Sequence, residues 1–300
     1  MILSHEIPQG CKLYFGKNAR LKREIEALAS AILYQNGYEE IITPTFAYLE
    51  HQRDTQSREV VRTNNQYNHQ IALRNDSTID TIRLLAPHLR ENALNKRWFY
   101  IQPIFIYPTT EIHQIGVENL ENCDIAHFIA MSLGVLESNF SNSKNSSLTN
   151  KENHKLFLQL ANVKIPQICA ETFGIPLIAF EKIDVDAITS ANPLMQELLC
   201  VHNAESLQNF MQHHNNLPQN LNNALEQLLN LAKAIPYANC IISPLYYAPM
   251  HYYTGLFFRF FAENATLIMG GEYTILGQNA CGFGIYTDDL IQYLLRSDGE

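Results

Sequence analysis

The sequence has no run of basic residues, no long apolar stretch and no closely paired cysteines. Lys and Arg number 21 against 30 Asp and Glu, leaving a net charge of −9. A nucleic-acid binder normally carries a basic footprint, so RNA and DNA are not expected as partners. The N-terminus, Met1-Ile2-Leu3-Ser4-His5-Glu6, lacks the basic n-region and apolar core of a secretion signal, and no stretch approaches a membrane span. Six cysteines stand at 11, 123, 169, 200, 240 and 281 without a C-x-x-C pair, which excludes a zinc ribbon and a dithiol redox motif. They are expected as buried reduced thiols in a cytoplasmic protein. His213-His214 has no spaced partners, so no metal is expected. The glycines at 270, 271, 277, 282 and 284 fit neither G-x-G-x-x-G nor a P-loop.

The remaining composition, 46% hydrophobic and 17% charged, is that of an ordinary globular protein. Leu21, Ile25, Leu28 and Ile32 predict a helix over Ala19–Gln35, stopped by Asn36-Gly37. Tyr38 to Pro44 reads as a short strand, as does Ile71 to Arg74. A helix carrying Ile79, Ile82, Leu85 and Leu89 is expected after Asn75-Asp76-Ser77-Thr78. Trp98–Tyr107 and Ile112–Asn119 read as a hairpin around Pro108-Thr109-Thr110, followed by a helix near Asp124–Glu137. Ser138 to Asn153, rich in Ser and Asn, reads as a flexible loop. A strand over Phe157–Val163 precedes a mainly helical stretch to about Ala234. Three more strands, Tyr252–Phe261, Thr266–Ile275 and Gly282–Tyr286, lead to a helix over Asp288–Leu295. Hairpins plus helices without repeated β-α-β alternation predict an antiparallel α+β fold.

Within Ile112–Asn119, period two puts Gln114, Gly116 and Glu118 on one face. Two long polar side chains flank a residue with none, leaving a gap where a small polar ligand could rest. A solvent-exposed face with a weak glycine is the alternative. Asp76 and Thr78 by themselves read as the N-cap of a helix. Tyr252-Tyr253, before the aromatic run Leu256–Phe261, reads by itself as core.

The order of these segments resembles the catalytic core of the class II aminoacyl-tRNA synthetases, in its histidine branch. Gly37-Tyr38-Glu39-Glu40-Ile41-Ile42-Thr43-Pro44 is similar to the first class motif, which builds a dimer interface in that family. Leu73-Arg74-Asn75-Asp76-Ser77-Thr78 resembles the segment that receives the amino group of histidine. Trp98 to Phe105 with His113 to Glu118 resembles the second motif. His251-Tyr252-Tyr253-Thr254-Gly255 resembles the histidine-specific signature, and Gly270-Gly271-Glu272-Tyr273 with Gly282-Phe283-Gly284-Ile285 the closing strands. The resemblance implies one core domain over 1–300, with a loop and a mainly helical stretch at about 138–235. It implies that Asp76, Thr78 and Gln114 hold the α-amino group of histidine and that Glu118 and Tyr252 hold the imidazole, with Tyr253 beside them. Gly270 and Gly271 would let backbone approach the ligand. Carboxylates and a phenol suit a small cationic ligand.

Several groups that adenylation requires are absent. Negative charge builds on the α-phosphorus in the transition state and calls for cations. Ile106 stands where the second-motif arginine is expected, and the loop over ATP is cut to Pro108-Thr109-Thr110-Glu111. The histidine-specific arginine falls at or near Ala248, and Tyr286-Thr287-Asp288-Asp289 contains no third-motif arginine. No anticodon-binding domain is expected after the core. These departures resemble those of the regulatory subunits of ATP phosphoribosyltransferase, synthetase paralogues that do not aminoacylate. That resemblance implies a non-catalytic protein of histidine biosynthesis without a cofactor. It would be a homodimer within a hetero-oligomer, joined to the short-form catalytic subunit and binding free histidine. A truncated synthetase that activates histidine and an interaction scaffold with a degraded pocket are the rival expectations.

Overall fold

The computed structural model describes residues 2–55, 59–88, 95–121, 123–142, 156–248, 250 and 252–297. Helix α1 (Gly16–Gln35) starts before the expected Ala19 and buries Ile25, Ala29 and Leu33. Asn36 and Gly37, the latter at φ 78°, end it. The strand expected over Tyr38–Pro44 shrinks to β1 (Glu39–Glu40). The reason lies in hydrogen bonding: the Thr43 and Pro44 carbonyls accept from the buried Arg74 guanidinium at 2.8 and 3.4 Å, not from a neighbouring strand. Strands β2 (Phe46–Tyr48), β3 (Arg62–Asn64) and β4 (Gln70–Leu73) form a small antiparallel sheet in the order β2-β4-β3. Only β4 matches an expected strand; a three-residue strand is too short to show a period.

Helix α2 (Ser77–Leu85) begins after Asp76, whose side chain accepts from Ile79 N at 3.1 Å. Its described extent ends at Leu85; Leu89, expected on the same helix, lies outside the described residues. The hairpin β5 (Arg97–Ile106) and β6 (Thr110–Asn119) turns about Pro108, pairing Tyr100 with Gly116 and Ile106 with Thr110. Helix α3 (Ile125–Asn142) runs past Glu137 into the stretch expected as a loop. The rest of that stretch, 143–153, lies outside the described residues.

After β7 (Phe157–Asn162) come α4 (Lys164–Phe173), α5 (Leu177–Glu181), α6 (Val185–Ala191), α7 (Pro193–Leu199), α8 (Ala204–His213) and α9 (Gln219–Ala234). Strand β8 (Cys240–Ile242) was not expected. Then β9 (Tyr253–Ala262), β10 (Ala265–Ile275), β11 (Gln278–Tyr286) and α10 (Thr287–Ser297) follow. The main sheet has the order β1-β5-β6-β11-β10-β9-β7-β8. Its six central strands are antiparallel and only the edge strands β1 and β8 pair in parallel, in keeping with the α+β reading.

Alternation gives the sheet two unlike faces. Phe99, Ile115, Val117, Leu158, Leu160, Phe258, Phe260 and Ile285 point to one side and pack with α1, α3, α9 and α10 in the larger core. On the other side Ala161, Tyr253, Phe257 and Tyr273 pack with Ile79, Ile82 and Leu85 of α2. This second face is only partly covered by helix, and the gap is the cleft described below. None of the six cysteines is in a disulfide, but only Cys169 and Cys281 are buried as expected; Cys11 and Cys240 are half-buried and Cys123 and Cys200 exposed. No helix among the described residues is long and apolar enough to cross a membrane.

Candidate functional site

The cleft lies over β6, β11 and β10, roofed by the start of α2 and by the segment before β9. Asp76, Thr78, Gln114, Glu118, Tyr252 and Tyr253 all line it, so the structure brings together six of the eight residues singled out from the sequence. Tyr100, Ile104, Met250, Met269, Tyr273 and Tyr286 add to the wall. The space is tight: only about 40 Å³ admits the centre of a water molecule.

Gly270 and Gly271 do not line it. A Cβ at Gly270 would run into the Gly282 carbonyl and Phe283 on the adjoining strand. At Gly271, the missing side chain makes room for Leu256 O and the Tyr253 ring, 3.2 Å away. These glycines serve strand and ring packing instead of backbone approach to a ligand. Gly116 also departs from expectation. The gap above it is occupied by Tyr100, its cross-strand partner, whose ring lies where a Cβ would be. The open ground is one strand further on, over Gly284, where a Cβ would meet nothing within 4 Å.

Glu118 is the chemical centre. Its side chain is buried, with 2% of the residue exposed. Tyr273 donates its hydroxyl hydrogen to Glu118 Oε2. The hydroxyls of Thr78 and Tyr100 also hydrogen-bond to the carboxyl group, and they lie 3.1 Å from each other. Burial outweighs these bonds and pushes the Glu118 carboxyl up to about 8, with nearby Asp76 adding to the rise. Desolvation likewise raises Tyr100, Tyr252 and Tyr273 well above the ordinary phenol value, so all three are neutral donors. Asp76 combines two roles: it caps α2 and faces the cleft, where N-capping alone is the simpler reading of its position. The lining among the described residues holds two carboxyl groups and no Lys, Arg or His. Such a cleft suits a ligand that brings an N–H donor or a positive charge.

Its outer end is different. Ile104 lines the cleft, and Ile106 follows two residues later on the same strand face. The turn beyond is clipped to the N-terminal segment: Glu111 N donates to Gly10 O at 3.0 Å and Thr109 Oγ1 to Gln9 O. Directly after Tyr286, α10 opens with Asp288 and Asp289 in its first turn. Asp288 accepts from Tyr14 and from His113 N at 3.1 Å, and burial raises both aspartates. Ala248 is buried among apolar neighbours. Arg259, on β9, is sandwiched between Tyr246 and Phe261 and donates to Gln159. No group of three or more metal-ligating side chains occurs among the described residues.

The sequence points to none of Tyr100, Tyr273, Met269 and Tyr286 as site residues. For Tyr100 a signal existed: reflecting the hairpin about Pro108 sets it opposite Gly116. Tyr273 and Met269 depend on how β10 registers against β11 and β9, including its bulges, which no local pattern reveals.

The architecture agrees with that of solved structures similar to this chain. The family model described as histidyl-tRNA synthetase matches residues 14–290. A protein of Wolinella succinogenes named ATP phosphoribosyltransferase regulatory subunit is 48% identical over 99% of this chain and 98% of its own length. One of the same name from Helicobacter hepaticus is 41% identical over 98% of this chain and its entire length (100%). Among solved structures, an ATP phosphoribosyltransferase regulatory subunit/histidyl-tRNA synthetase from Bacillus halodurans superposes with a TM-score of 0.82 at 19% identity, covering 98% of this chain and 84% of that one. A histidine–tRNA ligase subunit from Alicyclobacillus acidocaldarius gives 0.76 at 18% identity over 100% of both chains. At such identities these two structures speak for the fold alone. The extended sequence identity to the curated relatives goes further: this chain belongs to the family of ATP phosphoribosyltransferase regulatory subunits, built on the histidyl-tRNA synthetase fold.

Proposed function

We propose that this protein is a histidine sensor that does no chemistry itself and acts by modulating the short catalytic subunit of ATP phosphoribosyltransferase, which it joins in the cytoplasm as a homodimer. The observation that carries this reading is the unequal treatment of the two ends of the cleft. The inner end keeps Glu118, Asp76, Thr78 and Gln114, a set that matches an imidazole N–H at one side and an ammonium at the other. The outer end, where a nucleotide would need cations on its phosphates, offers Ile104 and Ile106 and, among the described lining residues, no Lys or Arg. A buried carboxyl that holds its proton to about 8 can share one proton with an imidazole, whose own ordinary value is near 6.5. Entry into so narrow a cleft requires lining side chains to move. Met250, half-buried and unbranched, is suited to that.

Calorimetry tests the reading directly. Histidine titrated into the complex with the catalytic subunit should bind wild type and bind Glu118→Gln more weakly, with both forming the complex equally well. Histidine-dependent ATP–pyrophosphate exchange by a contaminant-free preparation would instead favour a truncated synthetase. Binding that Glu118→Gln leaves unchanged removes this cleft from consideration.

A further inference from the structure

A second concavity lies at the far edge of the sheet, where α5–α7 wrap around β8. It admits water-molecule centres over about 370 Å³ and is walled mainly by apolar side chains, including Phe180, Ile183, Val185, Ile188, Leu199 and Leu245. Its lip is apolar as well: Ile183 is 74% exposed, with Ile178, Val185 and Leu199 between 41% and 49%. Contiguous exposed apolar residues around a groove mark an interaction surface more often than scattered ones do.

Ile183 supplies an independent observation. Asp184 N donates to Ala179 O and Ile183 N to Phe180 O, so α5 ends in the two-bond motif that needs a left-handed residue at the position of Ile183. Glycine is the ordinary occupant, and α4 ends that way at Gly174, φ 69°. Here a β-branched residue sits at φ 55°, strained and pointed at solvent. An isoleucine kept at such a position is costly to the free chain unless its side chain is used.

Charge narrows the occupant. Between Pro176 and Leu199 stand Glu181, Asp184, Asp186 and Glu197 against Lys182 alone, all exposed. No Lys or Arg among the described residues is within ion-pair distance of Glu181, Asp184 or Asp186. Resting on the function proposed above, we infer that this groove docks a segment of the catalytic subunit that carries a large apolar side chain flanked by lysines or arginines. The apolar anchor fills the groove beside Ile183, and the acidic rim meets the basic flanks, steering the encounter and fixing its register.

The test compares wild type, Ile183→Gly and the double variant Glu181→Lys/Asp186→Lys, each titrated with the purified short catalytic subunit at low and high salt. Ile183→Gly relieves the strain, so the free variant should melt no lower than wild type while binding the catalytic subunit about tenfold more weakly or worse. The charge variant should bind more weakly at low salt and lose most of the salt dependence of wild type. If wild type binds and all variants match it, the groove is not the docking surface. If wild type does not bind the catalytic subunit at all, the function proposed above fails and the occupant with it. Loss of self-association by Ile183→Gly, with binding to the catalytic subunit unaltered, assigns the groove to a second copy of this chain and overturns the proposal.

Discussion

The inner and outer ends of the cleft rest on the same strands yet are built from opposite materials. At the inner end, β5, α2 and β10 each direct a hydroxyl at one buried carboxyl group, and Gly282 leaves room for it. Four residue pairs beyond Tyr100–Gly116 on the same hairpin, the wall is isoleucine, and the turn is tied down by the N-terminal segment. Backbone geometry is shared between the ends, so side chains alone separate the capacity to hold a small cation from the capacity to hold a triphosphate. Retaining a synthetase scaffold therefore says little about retaining its reaction.

The sharpest way to break this comparison is at the two glycines that face each other across β6 and β11. Gly116→Ala drives a methyl group into the Tyr100 ring and should cost roughly 1–3 kcal/mol in chemical denaturation, disturbing Glu118 as well. Gly284→Ala meets nothing within 4 Å and should leave the denaturation midpoint almost unchanged while weakening histidine binding, because its methyl projects into open ground. Equal melting of the two variants would contradict the described packing.

Next in size is Glu118→Gln, which keeps the shape and removes the titratable group that can share a proton with the ligand's imidazole. It should weaken histidine binding by about 1.5–3 kcal/mol, the scale of a hydrogen bond to a charged group. Asp76→Asn should act likewise at the ammonium end; an unaltered dissociation constant in calorimetry would sink its assignment. Arg74→Met tests stability rather than binding. That guanidinium donates to Thr43 O, Gln102 Oε1 and Pro103 O, and its loss leaves buried acceptors unpaired.

A smaller effect is expected from pH. Folded Glu118 holds its proton up to about 8, whereas a solvated glutamate loses it near 4.5. Between those values the folded chain binds the additional proton, so this group's contribution to stability falls as pH rises through that window. The melting temperature of the unliganded protein should decline toward pH 8, and Glu118→Gln should flatten the decline. Histidine affinity should peak between about 6.5, where free imidazole loses its proton, and about 8. A monotonic profile would show that ligand and carboxyl share no proton. The smallest expected effect is none: Ile106→Arg restores one cation at the outer end, but pyrophosphate exchange should stay at the blank level because Tyr286-Thr287-Asp288-Asp289 still supplies no arginine and the turn at Pro108–Glu111 stays short.

Much of this was legible along the chain. Long periodic elements such as α1, β5–β6 and α10 stand within a few residues of where apolar spacing and turn chemistry put them. Gln114 and Glu118 fall on the cleft face because period two is unforgiving within a single strand. What failed depended on contacts distant in sequence. The gap over Gly116 reads as vacant until Tyr100 arrives from the paired strand. Gly270 reads as a ligand contact until β11 is laid against it. The segment after Gly37 has left the sheet by Thr43, whose carbonyl accepts from Arg74, more than thirty residues later, a partner no local pattern reveals. The polar stretch after Glu137 continues α3 to Asn142 although its composition suggests a loop.

The adjacency of β6 and β11 has a consequence for how the protein comes into being. Gly116 pairs with Gly284, so the middle of the cleft joins segments from opposite halves of the chain. Such a pairing carries a large loop-closure entropy and belongs to the slow, late part of folding. During synthesis the hairpin β5–β6 and the helix carrying Asp76 can form early, but Glu118 gains its Tyr273 partner only when β10 arrives. A nascent or truncated chain ending before β10 therefore exposes a carboxyl and an apolar sheet face with no cover. On the function proposed above, histidine would find no complete cleft on such a chain and would stabilise only the finished one.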